Sequence, residues 1–169
     1  MKQLVWHRLD LLARQLLPFT LSCLLVIVAM VPLRIPDVAA VMPSVTLIAV
    51  YYWTIHRPDL MPIWAVFLLG LFQDLIGAAP VGLGILALFV VAGIVRTQWR
   101  FFARASFAAV WSLFGLVAAV ALLAMWILLC LLEGALLDPQ PALFQFIATV
   151  AFYPCLSWVF VQTQKVILR

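Results

Sequence analysis

The chain reads as an all-α transmembrane protein, a bundle of six helices joined by short loops with both termini in the cytoplasm. Three observations predict this class. First, 68% of its 169 residues are hydrophobic and 9% are charged, with a mean hydropathy of +1.24. A soluble domain is nearer half apolar and a quarter charged. Second, the apolar residues gather into six runs bounded by charge, proline or glycine. Third, when the runs are taken as crossings, nine of the ten Lys and Arg residues fall on one side, Arg34 being the exception. That is the asymmetry expected of cytoplasmic loops. Only helices or closed barrels satisfy the backbone in lipid, and these runs are too long and too evenly apolar for barrel strands.

The whole chain, 1–169, is expected to form one polytopic membrane domain, since no stretch outside the runs is long enough to bury a soluble core. Residues 1–14 carry Lys2, Arg8, Asp10 and Arg14 and read as a cytoplasmic start. The first span is placed at about 15–33. Val38-Ala39-Ala40 has the small residues of a cleavage site, but the charged lead-in is long and the run is of bilayer length, so a retained span is expected. A short outer loop with Pro32, Arg34, Pro36 and Asp37 precedes the second span, about 38–55. That span ends in Tyr51, Tyr52 and Trp53, expected as an aromatic girdle at the cytoplasmic interface. His56-Arg57-Pro58-Asp59 is a tight inner turn, because proline removes a donor and biases its predecessor away from helix.

The third span, about 60–77, contains Gln73 and Asp74, and Ala78-Ala79-Pro80 turns the chain on the outside. The fourth, about 81–95, opens with Gly82 and Gly84. Arg96, Arg100 and Arg104 then give the strongest inward mark. The fifth, about 106–132, is long enough to be tilted. Glu133, Asp138, Pro139 and Pro141 form an acidic outer loop. The sixth, about 142–163, is interrupted by Pro154, and Lys165 and Arg169 close the chain inside.

In such a protein the informative residues are the polar ones that lipid disfavours. Asp74 is the foremost. The reading favoured by its position, near the outer end of the third span, is a helix-end carboxylate that accepts hydrogen bonds from the start of the fourth helix. A ligand or partner contact and proton handling are the alternatives. Gly70, Gly77, Gly82 and Gly84, four of the seven glycines, surround it. Gly70, Asp74 and Gly77 share one face at i, i+4 and i+7, and small residues let a second helix approach closely. A tight hairpin of spans three and four is expected. An interrupted helix of this kind can also mark a transporter's substrate site, but no matching break occurs in the other half of the chain.

Arg96, Arg100 and Arg104 recur every four residues. If the fourth helix continues, they line one stripe with Phe102 opposite and Trp99 and Phe101 flanking, an amphipathic surface suited to lipid phosphates or a cytoplasmic partner. Charge that merely sets topology explains it as well. Gln145, Gln162 and Gln164 are read as interfacial. The net charge of +4 is accounted for by orientation and anionic headgroups, and nucleic-acid binding is not expected.

Catalysis has little support. His7 and His56 lie at or near the surface, and no paired carboxylates or nucleophile–base arrangement falls within the runs. Cys23, Cys130 and Cys155 are far apart and without histidines at ligand spacing, so neither a metal nor a cofactor is expected.

The stretch from Met42 to about Leu88 resembles the MreD family of bacterial rod shape-determining membrane proteins. The residues that carry the likeness are MPSVTLIAVYYWTIHRPDL and FLLGLFQDLIGAAPVGLGILAL. In order, they supply an early proline (Pro43), an aromatic pair (Tyr52, Trp53) and a proline turn (Pro58). A Gly-x-x-x-Asp helix end (Gly70, Asp74), a glycine (Gly77) and a Leu/Gly-rich helix start (Gly82, Leu83) follow. The rest of the chain agrees by hydropathy alone. The resemblance implies a non-enzymatic subunit of the cell-elongation complex. Its direct partner would be MreC, a single-span periplasmic protein, and through it the MreB filaments, the RodA glycosyltransferase and a penicillin-binding transpeptidase. The family is also similar, more distantly, to substrate-binding subunits of vitamin-type energy-coupling transporters, which implies a compact bundle with a central cavity able to hold lipid. A small-molecule-binding subunit of such a transporter is the competing function. Those subunits present Ala-x-x-x-Ala on the first helix, whereas residues 16–33 here hold a single alanine, Ala29.

Overall fold

The computed structural model describes residues 19–28, 43–77, 80–98 and 106–167. These form six α-helices and, among the described residues, no strand: α1 (Phe19–Val28), α2 (Val45–His56), α3 (Ile63–Ile76), α4 (Leu83–Thr97), α5 (Phe107–Glu133) and α6 (Gln140–Ile167). The expected features of residues 1–14, the Pro32–Asp37 loop and the Ala78-Ala79 pair lie outside the described residues.

At 1.5 Å per residue, α5 and α6 are each about 40 Å long, enough to cross a hydrocarbon core of about 30 Å. They are also apolar enough to do so. The other helices are shorter. α2, α3 and α4 have 12, 14 and 15 residues, or about 18–23 Å. The second span, expected from residue 38, is helical only from Val45 among its described residues.

The short helix α2 forms the interior, and the long helices lie on the flank. α2 is buried from Thr46 to Ile55 without a break, because α4 and α6 cover it on two sides and the α2–α3 turn folds back over its end. This corrects the aromatic girdle: Tyr51, Tyr52 and Trp53 are at most 2% exposed and fill the centre of the bundle. Tyr51 lies edge-on to Phe114 (4.9 Å) and Tyr153 (5.8 Å), while Tyr52 and Trp53 meet Phe160. Hydropathy marks such rings as membrane residues but cannot distinguish an interfacial ring from one packed between helices.

A buried hydroxyl needs a partner, and the α2 tyrosines find theirs on the long helices. The Tyr51 hydroxyl donates to the Val110 carbonyl of α5 (2.8 Å). Tyr52 donates to Gln164 Oε1 of α6 (3.0 Å), so Gln164 points into the bundle. At the opposite end of α2 the Ser44 N–H donates to Thr149 Oγ1 (2.9 Å), which donates on to the Gln145 carbonyl (2.6 Å). α2 is therefore tied to α6 at both ends.

Pro154 lies inside α6 rather than ending it. Lacking an N–H, it leaves the Val150 carbonyl without its helical donor. The Trp111 indole of α5 supplies one, at 3.0 Å. This bond should couple the two residues. Trp111→Phe is expected to cost about 1 kcal/mol, and less in a Pro154→Ala background, where a backbone N–H reaches the same carbonyl. A double-mutant cycle of thermal stability in detergent measures the difference, and equal losses in both backgrounds would refute the coupling.

The outer surface is apolar. Ile63, Trp64, Phe67, Leu68 and Leu75 project from α3, Leu116, Leu123 and Leu131 from α5, and Phe144, Phe152 and Trp158 from α6. Leu131 is 72% exposed and Trp158 63%. A soluble monomer does not leave so much continuous apolar surface to water.

Candidate functional site: a capped helical hairpin

α3 and α4 make the most extensive contact in the bundle. Gly70 permits it: a Cβ there would stand 2.8 Å from the Ile85 Cα, so the helices approach backbone to backbone. α3 ends at Gly77, whose N–H donates to the Gln73 carbonyl (2.8 Å). The chain returns through Pro80 and Val81 to Gly82, the N-cap of α4, at φ 111°. Few side chains tolerate that backbone, so the turn needs glycine there.

Asp74 closes the hairpin. It is 4% exposed. Its Oδ2 accepts from the N–H groups of Gly82 (2.7 Å) and Ile85 (3.4 Å), and its Oδ1 from Gly84 (3.0 Å). The first N–H groups of a helix have no partner within it, and the helix dipole favours negative charge at that end. A carboxylate supplied by the preceding helix answers both needs. Gly84 leaves it room, since a Cβ there would fall 2.2 Å from Asp74 Oδ1. The structure thus brings Gly70, Asp74, Gly77, Gly82 and Gly84 together as one internal joint, whose carboxylate faces a backbone rather than an open space.

The arginines are placed differently. α4 ends at Thr97 with Gln98 as its C-cap, so Arg96 occupies the last turn. Arg100 and Arg104, with Trp99, Phe101 and Phe102, lie outside the described residues. Arg96 is half-buried, and its guanidinium donates to the carbonyl of Met61 in the α2–α3 turn. Its Nε has no partner among the described residues. It holds that turn against the end of α4.

Sequence reasoning missed one feature and misplaced another. Gln73 lies beside the cap with its Oε1 buried and without a partner among the described residues; its one local signal was polarity next to Asp74. The other is the cavity, which the resemblance implies at the centre of the bundle. The bundle centre is filled by Tyr51, Trp53 and Phe114, and a cavity of about 600 Å³ opens between α2, α5 and α6. No local sequence pattern joins its walls. Among the described residues, no three His, Cys, Asp or Glu side chains come together to hold a metal ion.

Helices that cap and pack against one another internally while presenting apolar faces outward define a helical membrane protein. The family described as rod shape-determining protein MreD matches residues 11–166, and the chain belongs to that family of shape-determining membrane proteins. Neither the curated proteins nor the solved structures compared gave a match.

Proposed function

We propose that this protein is a non-enzymatic, multi-pass subunit of the cell-elongation complex in the inner membrane. In this reading both termini are cytoplasmic and the bundle binds MreC. It helps to organise peptidoglycan synthesis together with MreB, RodA and a penicillin-binding transpeptidase. The family match over nearly the whole chain carries the reading.

The fold supports it in one respect. With loops this short, the surfaces left for a partner are helix faces and lateral grooves. The joint at Gly70, Asp74 and Gly77 is internal, so it acts by holding α3 rigid. The apolar face of α3, with Trp64, Phe67, Leu68 and Leu75 exposed, is then the surface on which a single membrane helix of MreC packs. Depletion of the protein in its host should give rounded, widening cells, and the tagged protein should recover MreC. Normal rods with no MreC recovered would reject the reading. Cysteines at positions 64, 68 and 75 are expected to crosslink to the MreC helix, and crosslinks confined to α5 and α6 would reject the α3 surface.

A further inference from the structure

The cavity between α2, α5 and α6 has the attributes of a ligand site. Its volume, about 600 Å³, falls within the roughly 300–1,000 Å³ typical of such sites. Tyr52 and His56 of α2, Phe107 of α5, and Tyr153, Ser157 and Trp158 of α6 line it. Phe107 and Trp158 are well exposed on the apolar flank of the bundle, so the cavity opens sideways, where a bilayer would supply lipid.

Its interior is not wholly apolar. Tyr153 is 1% exposed and its ring is stacked on Phe114 at 4.4 Å. Its hydroxyl makes no hydrogen bond to any described residue, whereas those of Tyr51 and Tyr52 do. Tyr153 lines the cavity, and a hydroxyl there without a protein partner is free to bond a ligand. At this end of the bundle the described residues include three cationic side chains, Arg57, Arg96 and Lys165, against one carboxylate, Asp59. Arg57 follows His56 at the end of α2. Lys165 follows Gln164, whose amide takes the Tyr52 hydroxyl. Both are exposed.

We propose that this cavity binds an anionic phospholipid, with an acyl chain against Phe107, Pro154 and Trp158, the Tyr153 hydroxyl donating to an ester or phosphate oxygen, and the phosphate facing Arg57 and Lys165. The assignment rests on the membrane placement and is independent of any role in the elongation complex.

The full chain is incorporated into vesicles, extracted, and titrated with phosphatidylglycerol, phosphatidylcholine or a polyprenyl phosphate, and bound lipid is counted by native mass spectrometry. Phosphatidylglycerol should be retained about tenfold over phosphatidylcholine. Tyr153→Phe, which removes one oxygen, should lower retention about five- to tenfold, as loss of one hydrogen bond does, with thermal stability kept. Ser157→Phe, which fills the cavity, should abolish retention. Equal retention of the two phospholipids, or unchanged retention by both variants, overturns the proposal. A preference for the polyprenyl phosphate overturns the phospholipid assignment. Failure of the wild-type chain to float with vesicles overturns the membrane placement and this site with it, whereas flotation without retention overturns the site alone.

Discussion

Replacement of Asp74 by alanine is expected to be among the most damaging single changes in the protein, at about 3–5 kcal/mol. The reason is geometric. Three backbone N–H groups at the start of α4 point at one carboxylate, and truncation leaves them in a largely buried environment with no acceptor. Each buried group left unsatisfied costs about 1–3 kcal/mol, and lipid offers no water to replace the bond. Asp74→Asn keeps one carbonyl oxygen and should cost about half as much. The order Ala worse than Asn, with wild type highest, is checked by thermal unfolding in detergent and by the yield of monodisperse protein. Equal stability of wild type and the alanine variant would show that the cap contributes nothing.

Gly84→Ala should come close to that effect without touching the carboxylate itself. The added methyl would sit 2.2 Å from Asp74 Oδ1 and 3.1 Å from its Cγ, so the side chain must move and its bonds to α4 are lost or lengthened. Overpacking costs about 1–3 kcal/mol, and the loss of cap bonds adds to this, so about 3 kcal/mol is expected. Gly70→Ala meets the Ile85 backbone at 2.8 Å and separates the same helices by another route. Gly93→Ala is the control, since its Cβ meets nothing within 4 Å. If the close approach governs the hairpin, Gly84 and Gly70 variants lose stability while Gly93→Ala keeps or gains it. Combining Gly84→Ala with Asp74→Ala should cost less than the sum of the two, because both act on one joint.

Much of this joint is legible in the sequence, because its parts are close together. A carboxylate near a helix end, followed by glycines at a helix start, has few physical solutions in lipid. α5 and α6 are legible by length and composition alone. Contacts made across the bundle are not. Trp111 and Pro154 are 43 positions apart by number, and nothing local to either announces the Val150 carbonyl between them. The burial of Tyr51, Tyr52 and Trp53 is hidden for a different reason: in a membrane protein both the interior and the exterior are apolar, so hydropathy does not say which way a side chain faces. Arg96 shows the same limit for charge. Its place after an apolar run predicts the side of the membrane, but not that it reaches the Met61 carbonyl.

The bond from Asp74 to Gly82 spans eight positions of chain, and it gauges the length of the turn it closes. One inserted residue would carry Gly82, Gly84 and Ile85 out of register with the carboxylate. Among the described residues the α5–α6 turn has no such gauge: Gly134 ends α5 at φ 66°, and the side chain of Asp138 accepts from the nearby Gln140 N–H, at 3.0 Å. Residues 134–136 of this turn are exposed. A fluorophore, epitope or protease site is therefore better accommodated at 134–136, while the turn after α3 keeps a fixed length.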